Sequence, residues 1–276
     1  MLYQRILTAI PLAIFVFWIT FFQPTTVFFY FLLFVVLISG YEWARLSGVN
    51  NPLRMLFALL VTSATWAVPQ YLSEYTLWLI CISAVWWAGI SIYLKSATPK
   101  AANSQLKIDK LFVAFIVLPA AAFAMQKIHA MQQGADWLFY ALALVWVADI
   151  GAYFSGKKFG KKKLAPNISP GKTIEGFLGA IIATSIYTLM ASYYFELNIE
   201  KAALLILLSV VLTFISVSGD LYFSFLKREA GLKDSGNILP GHGGILDRID
   251  SVLAAMPIFV IGYSALIQTS LFDSFL

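Results

Sequence analysis

Charge is what this sequence has least of: Asp, Glu, Lys and Arg make up 12% of its 276 residues, about half the share usual in a soluble globular domain. That scarcity excludes a water-soluble fold, because 60% of the residues are apolar and too few charged groups exist to cover them. Cysteine is nearly absent as well. The single thiol, Cys81, lies in an apolar run without a partner, so no disulfide supports the fold, and its ordinary role is that of a small apolar residue. No long hydrophilic domain, low-complexity tract or internal repeat interrupts the chain. The first apolar run, preceded by Arg5, lacks a small-x-small cleavage pattern and leads through Gln23 and Pro24 into a second run, so it reads as a retained span rather than a secretory signal.

What is present is hydrophobicity in organised blocks. A bilayer core of about 30 Å needs roughly 20 apolar residues per helical crossing. Runs near 6–22, 26–42, 53–70, 75–94, 111–126, 137–155, 176–195, 202–222 and 251–270 supply about nine, of which 111–126 is the shortest. The expected fold is therefore an all-α polytopic membrane protein. Basic residues check the count, since cytoplasmic loops carry the excess of Lys and Arg. With the N-terminus inside, all but Lys127 and Lys201 of the 19 basic residues fall on the cytoplasmic side, and removing any middle span scrambles that division. The C-terminus is then expected on the opposite side. Any chemistry must sit in helix ends and short loops, so the chain divides into an N-terminal transmembrane region, 1–110, and a C-terminal catalytic region, 111–276, with cytoplasmic loops at 156–176 and 224–251.

Ionisable groups inside spans cost several kcal/mol and are functional suspects by default. Asp149 and Asp220 are two such groups, each roughly 10 Å below the cytoplasmic charge layer at 1.5 Å per residue. Two acids at one depth suggest a polar cavity open to the cytoplasm; the plainer alternative is a pair satisfied by neighbouring helices. If the helix carrying Asp220 continues to Arg228, then Asp220, Ser224 and Lys227 share one face at i, i+4 and i+7.

Beyond that helix, Lys233 and Asp234 precede Leu239-Pro240-Gly241-His242-Gly243-Gly244, a turn that forbids regular helix and frees backbone N–H groups for an anion at the next helix start. Asp247 and Asp250 are i, i+3 neighbours on the first turn of the last span. Carboxylates beside phosphate-binding cations suit Mg²⁺, which takes one or two carboxylates plus substrate phosphates; helix capping by Asp247 alone leaves Arg248 and Asp250 unexplained. His242 is equally readable as a turn residue or a substrate contact, and lacks the company a zinc site needs. In the other loop, five lysines between 157 and 163 form a cationic patch suited to lipid headgroups. Ser169-Pro170-Gly171-Lys172-Thr173 differs in kind, being a rigid turn with a Lys-Thr pair at a helix start, and is suited to phosphate. Gly176 and Gly179 are expected to let helices approach closely.

The stretch from Ser224 through Lys227-Arg228, Lys233-Asp234-Ser235-Gly236 and Leu239–Gly244 to Asp247-Arg248-Ile249-Asp250 resembles, nearly position for position over 27 residues, the signature of the CDP-diglyceride synthetases, the phosphatidate cytidylyltransferases. Ala148-Asp149, Gly151, Tyr153, Gly156-Lys157, Phe159-Gly160, Ser169-Pro170, Lys172-Thr173 and Glu175-Gly176 also resemble that family. The resemblance implies transfer of CMP from CTP to phosphatidate, giving CDP-diacylglycerol and pyrophosphate, with Mg²⁺ required and room for a second cation. By that analogy Asp220 and Asp247 hold metal, with Asp250 as ligand or supporting partner. Lys227, Arg228, Lys233 and Arg248 hold the triphosphate or departing pyrophosphate. Ser224 and the His242-Gly243-Gly244 turn contact phosphate oxygens, and Lys172 and Thr173 take either the lipid phosphate or CTP. The catalytic set is then Asp220, Asp247, Lys227 and Ser224. The implied setting is a lipid bilayer, with no nucleic-acid partner, as a homodimer; the compact length favours a bacterial inner membrane, with the site facing the cytoplasm. A secondary transporter fits less well, because charge and glycine concentrate on one membrane face. A polyprenol kinase shares the metal and triphosphate logic but not the full signature, and an inactive assembly factor has no need of paired acids beside a phosphate loop.

Overall fold

The computed structural model describes residues 2–99, 106–238 and 243–266, with side chains from 11 to 265. Nine helices account for nearly all of it: α1 (Leu2–Phe22), α2 (Thr25–Leu46), α3 (Asn51–Tyr71), α4 (Tyr75–Tyr93), α5 (Ile108–His129), α6 (Gly134–Phe159), α7 (Ile174–Tyr194), α8 (Ile199–Glu229) and α9 (Leu246–Leu266). Eight of them, α2 to α9, are long and apolar enough to cross a membrane, and α1 is apolar over its described stretch Pro11–Phe22. An all-α polytopic membrane protein is what the hydropathy predicts. The short run at 111–126 gains a turn at each end and becomes a 22-residue helix of about 33 Å. A short antiparallel hairpin, β1 (Lys163–Ala165) and β2 (Ser169–Thr173), stands between α6 and α7. The sequence alone predicts a loop there, at 156–176.

Apolar side chains face outward in numbers that water would not tolerate. Trp18, Phe22, Tyr30, Phe34, Trp78, Val85, Phe112, Ile182 and Tyr193 are all exposed, which is the surface a lipid solvent selects. Inside, Trp43, Trp87 and Phe223 are fully buried, and Tyr222 packs edge-on against Trp86 and Trp87. Some polar side chains within the spans bond across helices: Thr184 and Thr213 hydroxyls are bonded at 2.9 Å between α7 and α8, and Tyr140 and Thr188 hydroxyls at 2.9 Å between α6 and α7.

Lacking a hydrophobic drive between helices in lipid, close association depends on small residues. A Cβ on Gly151 of α6 would stand 2.7 Å from Ala183 Cβ and 2.9 Å from Gly179 O of α7. One on Gly176 would stand 2.8 Å from Ala152 O. The close packing expected of Gly176 and Gly179 is therefore observed, and it sets α6 and α7 side by side.

The bundle has two chemically distinct ends. At one, Lys107 N donates to Ser47 O at 3.0 Å, Lys107 and Lys110 pair with Glu229, and Arg45 Nη1 donates to Ser235 O at 3.0 Å, so the ends of α2, α5 and α8 meet there. At the other, His129 bridges Thr20 O and Thr25 Oγ1, both at 2.9 Å, and Tyr194 donates to Asp136. Lys127 and Lys201 fall at this second end, at the C-terminus of α5 and the N-terminus of α8. The basic residues thus segregate in space as they do along the sequence.

Candidate active site

Helix α8 is 31 residues long, about 46 Å, and so projects past a bilayer core at its charged end. It continues through Arg228, as expected, which puts Asp220, Ser224 and Lys227 along one face; Ser224 Oγ donates to Asp220 Oδ1 at 3.3 Å. Gly219 decides what faces them. A Cβ there would meet Asp250 O at 2.7 Å and Ala254 Cβ at 2.9 Å, so only glycine lets α9 lie this close. The close crossing brings the buried Asp250 carboxylate near enough for the charge of Asp220 to act on it, along with those of Lys172 and Lys227. Lys172, from β2, forms an ion pair with Asp220. Asp149, from α6, is acted on by Lys172, Asp220 and Arg248.

Asp149, Lys172 and Asp220 open onto a cavity of about 370 Å³ between α6, α7, α8 and the hairpin. Asp149, Lys157, Lys172, Thr173 and Asp220 supply its polar side, and Tyr153, Leu164, Phe177 and Val217 its apolar side. The hairpin is fixed at the rim by Glu175, whose carboxylate accepts from Lys161 N at 3.0 Å and Lys162 N at 3.2 Å. Thr173 Oγ1 accepts from Gly176 N at 3.1 Å and so caps α7.

Asp247 lies in a second, adjoining network. Its Oδ1 accepts from Lys227 Nζ at 2.7 Å, while Oδ2 accepts from Ser235 N at 2.8 Å, Ser235 Oγ at 3.0 Å and Gly244 N at 2.9 Å. The carboxylate therefore ties Ser235 and Gly244 to the first turn of α9. Gly243 has φ +81°, and a Cβ there would lie 2.7 Å from Asp247 Oδ2, so the turn requires glycine on both counts.

Two residues of this network escaped the sequence reading. Glu42 of α2 accepts from Ser235 Oγ at 2.9 Å, Ile245 N at 3.1 Å and Leu246 N at 2.9 Å, and Arg45 holds Ser235 O. Glu42's sequence signal is that of an acid at the end of an apolar run, as Asp149 and Asp220 are acids within theirs, but it stands outside the two glycine-rich loops.

Of the other expected site residues, Arg228, Lys233 and Arg248 are exposed at the charged end, and Gly244 donates to Asp247. His242 lies outside the described residues. The lysine patch divides: Lys157 lines the cavity with its ammonium 5.7 Å from the Tyr153 ring centroid, whereas Lys158 sits 5.3 Å from the Phe159 centroid and does not line it. Lys158→Ala is accordingly expected to keep turnover within about fivefold of the parent, since one exposed cation among neighbours contributes about 1 kcal/mol or less. Initial rates on vesicle-presented substrate check this.

Among the described residues no three acidic, histidine or cysteine side chains gather at metal-binding spacing. Of the acids expected at the metal, Asp247 has one oxygen on Lys227 and the other on Ser235 and Gly244. The residues nonetheless fit a magnesium ion bound jointly with a substrate. Asp149, Asp220, Asp247 and Asp250 are hard oxygen donors, with Lys172, Lys227 and Arg248 among the cations acting on them. Mg²⁺ needs one or two protein carboxylates when phosphates complete its shell.

A helical bundle suited to lipid, with a mainly apolar cavity that carries charged side chains at the bundle's charged end, defines a membrane protein with a site fit for an anionic amphiphile. Comparison with known proteins makes this specific. Residues 3–266 match the cytidylyltransferase family. A phosphatidate cytidylyltransferase of Haemophilus influenzae is 37% identical over 284 residues, covering 94% of this chain and 97% of that protein. One of Pseudomonas aeruginosa is 35% identical over 263 residues, covering 94% and 96%. One of Bacillus subtilis reaches 49% identity over 126 residues, 46% of each chain. The chain belongs to the cytidylyltransferase family, and the likeness read from two loops extends across nearly its full length.

Proposed function

We infer that the chain is a phosphatidate cytidylyltransferase, a CTP-dependent nucleotidyltransferase of phospholipid synthesis. The observation that carries the reading on the structural side is the cavity itself. Its charged wall holds the Lys172–Asp220 pair, and its apolar wall suits an acyl-bearing substrate that stays in the membrane.

In the reaction, a phosphate oxygen of phosphatidate attacks the α-phosphorus of CTP. A P–O bond forms there as the bond to the β-phosphate breaks, and pyrophosphate leaves with that electron pair. Both reactants are polyanions, so the protein's work is mostly positioning and charge neutralisation. Asp220 and Asp250 are the carboxylates that would hold Mg²⁺, with Asp247 beside them; the ion would neutralise charge on the nucleotide phosphates. A second cation has room only where substrate oxygens complete its shell. Lys172, movable on its hairpin-borne stem, exchanges Asp220 for a substrate phosphate, either the lipid's or the nucleotide's. Lys227, fixed by Asp247, faces the triphosphate, and Arg228, Lys233 and Arg248 at the exposed rim receive the departing pyrophosphate. Ser224 orients Asp220, and Thr173 places the start of α7 at the cavity wall. His242 and Gly243-Gly244 are assigned to phosphate contact by family likeness. The charge asymmetry of the two bundle ends supports a cytoplasmic site in a bacterial inner membrane. The family likeness supports a homodimer.

The test is formation of CDP-diacylglycerol from labelled CTP and phosphatidate by detergent-purified protein, with Mg²⁺ and with EDTA. Product that disappears with EDTA is expected. No product in either arm from folded protein would overturn the reading and make a polyprenol the next acceptor to try.

A further inference from the structure

We propose that Glu42, on α2 and distant in sequence from both glycine-rich loops, is a positioning residue for nucleotidyl transfer. Its carboxylate holds Ser235 and the N-terminus of α9 where Asp247 meets Lys227. The inference rests on the function proposed above.

Three observations converge on it. Glu42 is buried, with 1% of its surface exposed, and each carboxylate oxygen has a donor from the α9 start: Ile245 N on Oε1, and Leu246 N with Ser235 Oγ on Oε2. Ser235 is shared. Its hydroxyl lies 2.9 Å from Glu42 and 3.0 Å from Asp247, its N–H goes to Asp247, and its carbonyl oxygen accepts from Arg45, so the two acids grip the loop through one residue. The backbone is shaped around the carboxylate as well. A Cβ on Gly236 or on Gly244 would overlap the Glu42 carboxylate, and glycine at both positions lets the side chain in. A carboxylate at a helix start satisfies orphan N–H groups and favours the dipole, but a capping residue adjacent in sequence does this without spanning about 200 residues. By bridging α2 to α9, Glu42 ties the loop to the scaffold instead of to the helix alone.

Glu42 touches no reacting atom in this arrangement, so the test must separate positioning from mere stability. Glu42→Gln keeps the shape but turns an amide N–H₂ toward an N–H or O–H donor. Purified Glu42→Gln protein is expected to show kcat reduced by about tenfold or more, a raised Mg²⁺ requirement for half-maximal rate, and an unchanged KM for phosphatidate, as losses in supporting shells generally read. Hydrogen exchange should quicken at 235–238 and 243–247 and stay unaltered in α6 and α7. A kcat within twofold of the parent with the same Mg²⁺ dependence overturns the proposal, even if the melting midpoint falls. So does a loss of kcat with unaltered loop exchange. If Glu42→Gln does not fold, Ser235→Ala, which deletes only the shared hydroxyl, carries the test: lower kcat with faster loop exchange supports the proposal, and parental kcat overturns it. Parent protein inactive on CTP and phosphatidate would refute the proposed function instead, and the exchange arm would still decide whether Glu42 holds the loop.

Discussion

Asp220→Asn protein is expected to insert and fold as the parent does and to lose turnover by about 10²–10³-fold, the scale on which removal of a single well-placed charge-stabilising group is felt in an active site. Asparagine has the volume of aspartate, and an amide within a span is less costly than a carboxylate, so neither packing nor insertion suffers. What is lost is specific. Lys172 loses its ion-pair partner, Ser224 retains an oxygen acceptor but not an anionic one, and Asp250 is left as the acid nearest the α8–α9 crossing. With half of the proposed Mg²⁺-binding oxygen charge removed, raising Mg²⁺ should recover little. Initial rates over a Mg²⁺ titration, with the melting midpoint followed in parallel, check the expectation. Activity within tenfold of the parent would remove Asp220 from the catalytic centre.

The fold was legible because lipid imposes a blunt code. Apolar runs had to become helices, and the distribution of basic residues fixed how many, so even the 111–126 run, short by hydropathy, could be placed; the helix simply recruits Ile108–Lys110 and Lys127–His129 at its ends. Helix ends were the weak point for the same reason. Beyond the hydrocarbon, hydropathy no longer marks where a helix stops, and α8 runs seven residues past the run that predicted it. The hairpin at 163–173 was invisible because its three- and five-residue strands carry lysine, proline and glycine, with no period-2 pattern to read.

In the site, what was legible was whatever a helix places by periodicity. Asp220, Ser224 and Lys227 share a face, as spacing of 4 and 7 demands. Relations across helices were not legible. That Gly219 admits α9 against α8, or that Lys172 would meet Asp220 from a separate hairpin, follows from packing between distant segments, which one sequence does not display. Glu42 is the sharpest case. Its neighbours in sequence are aromatic and apolar, and its partners lie about 200 residues away.

Asp247→Asn is expected to be as inactive as Asp220→Asn, by about a hundredfold or more, but for a different physical reason that a second measurement exposes. Both oxygens of Asp247 are committed as acceptors, one to the Lys227 ammonium and the other to three donors from Ser235 and Gly244. An asparagine has one acceptor and one donor end. Whichever way the amide turns, its N–H₂ faces either an ammonium or a converging set of N–H and O–H groups, and a buried donor without an acceptor costs about 1–3 kcal/mol. The loop should loosen, and Lys227, released from its partner, should swing toward Asp220 and Asp250, where an ammonium competes with the divalent ion proposed for that place. Asp247→Asn should therefore lower the melting midpoint and quicken hydrogen exchange at Ser235 and Gly244, whereas Asp220→Asn should do neither. Two equally inactive variants with opposite exchange behaviour would separate the carboxylate that takes part in phosphate chemistry from the one that builds the loop around it. If Asp247→Asn keeps near-parental turnover despite a loosened loop, Asp247 has no part in catalysis.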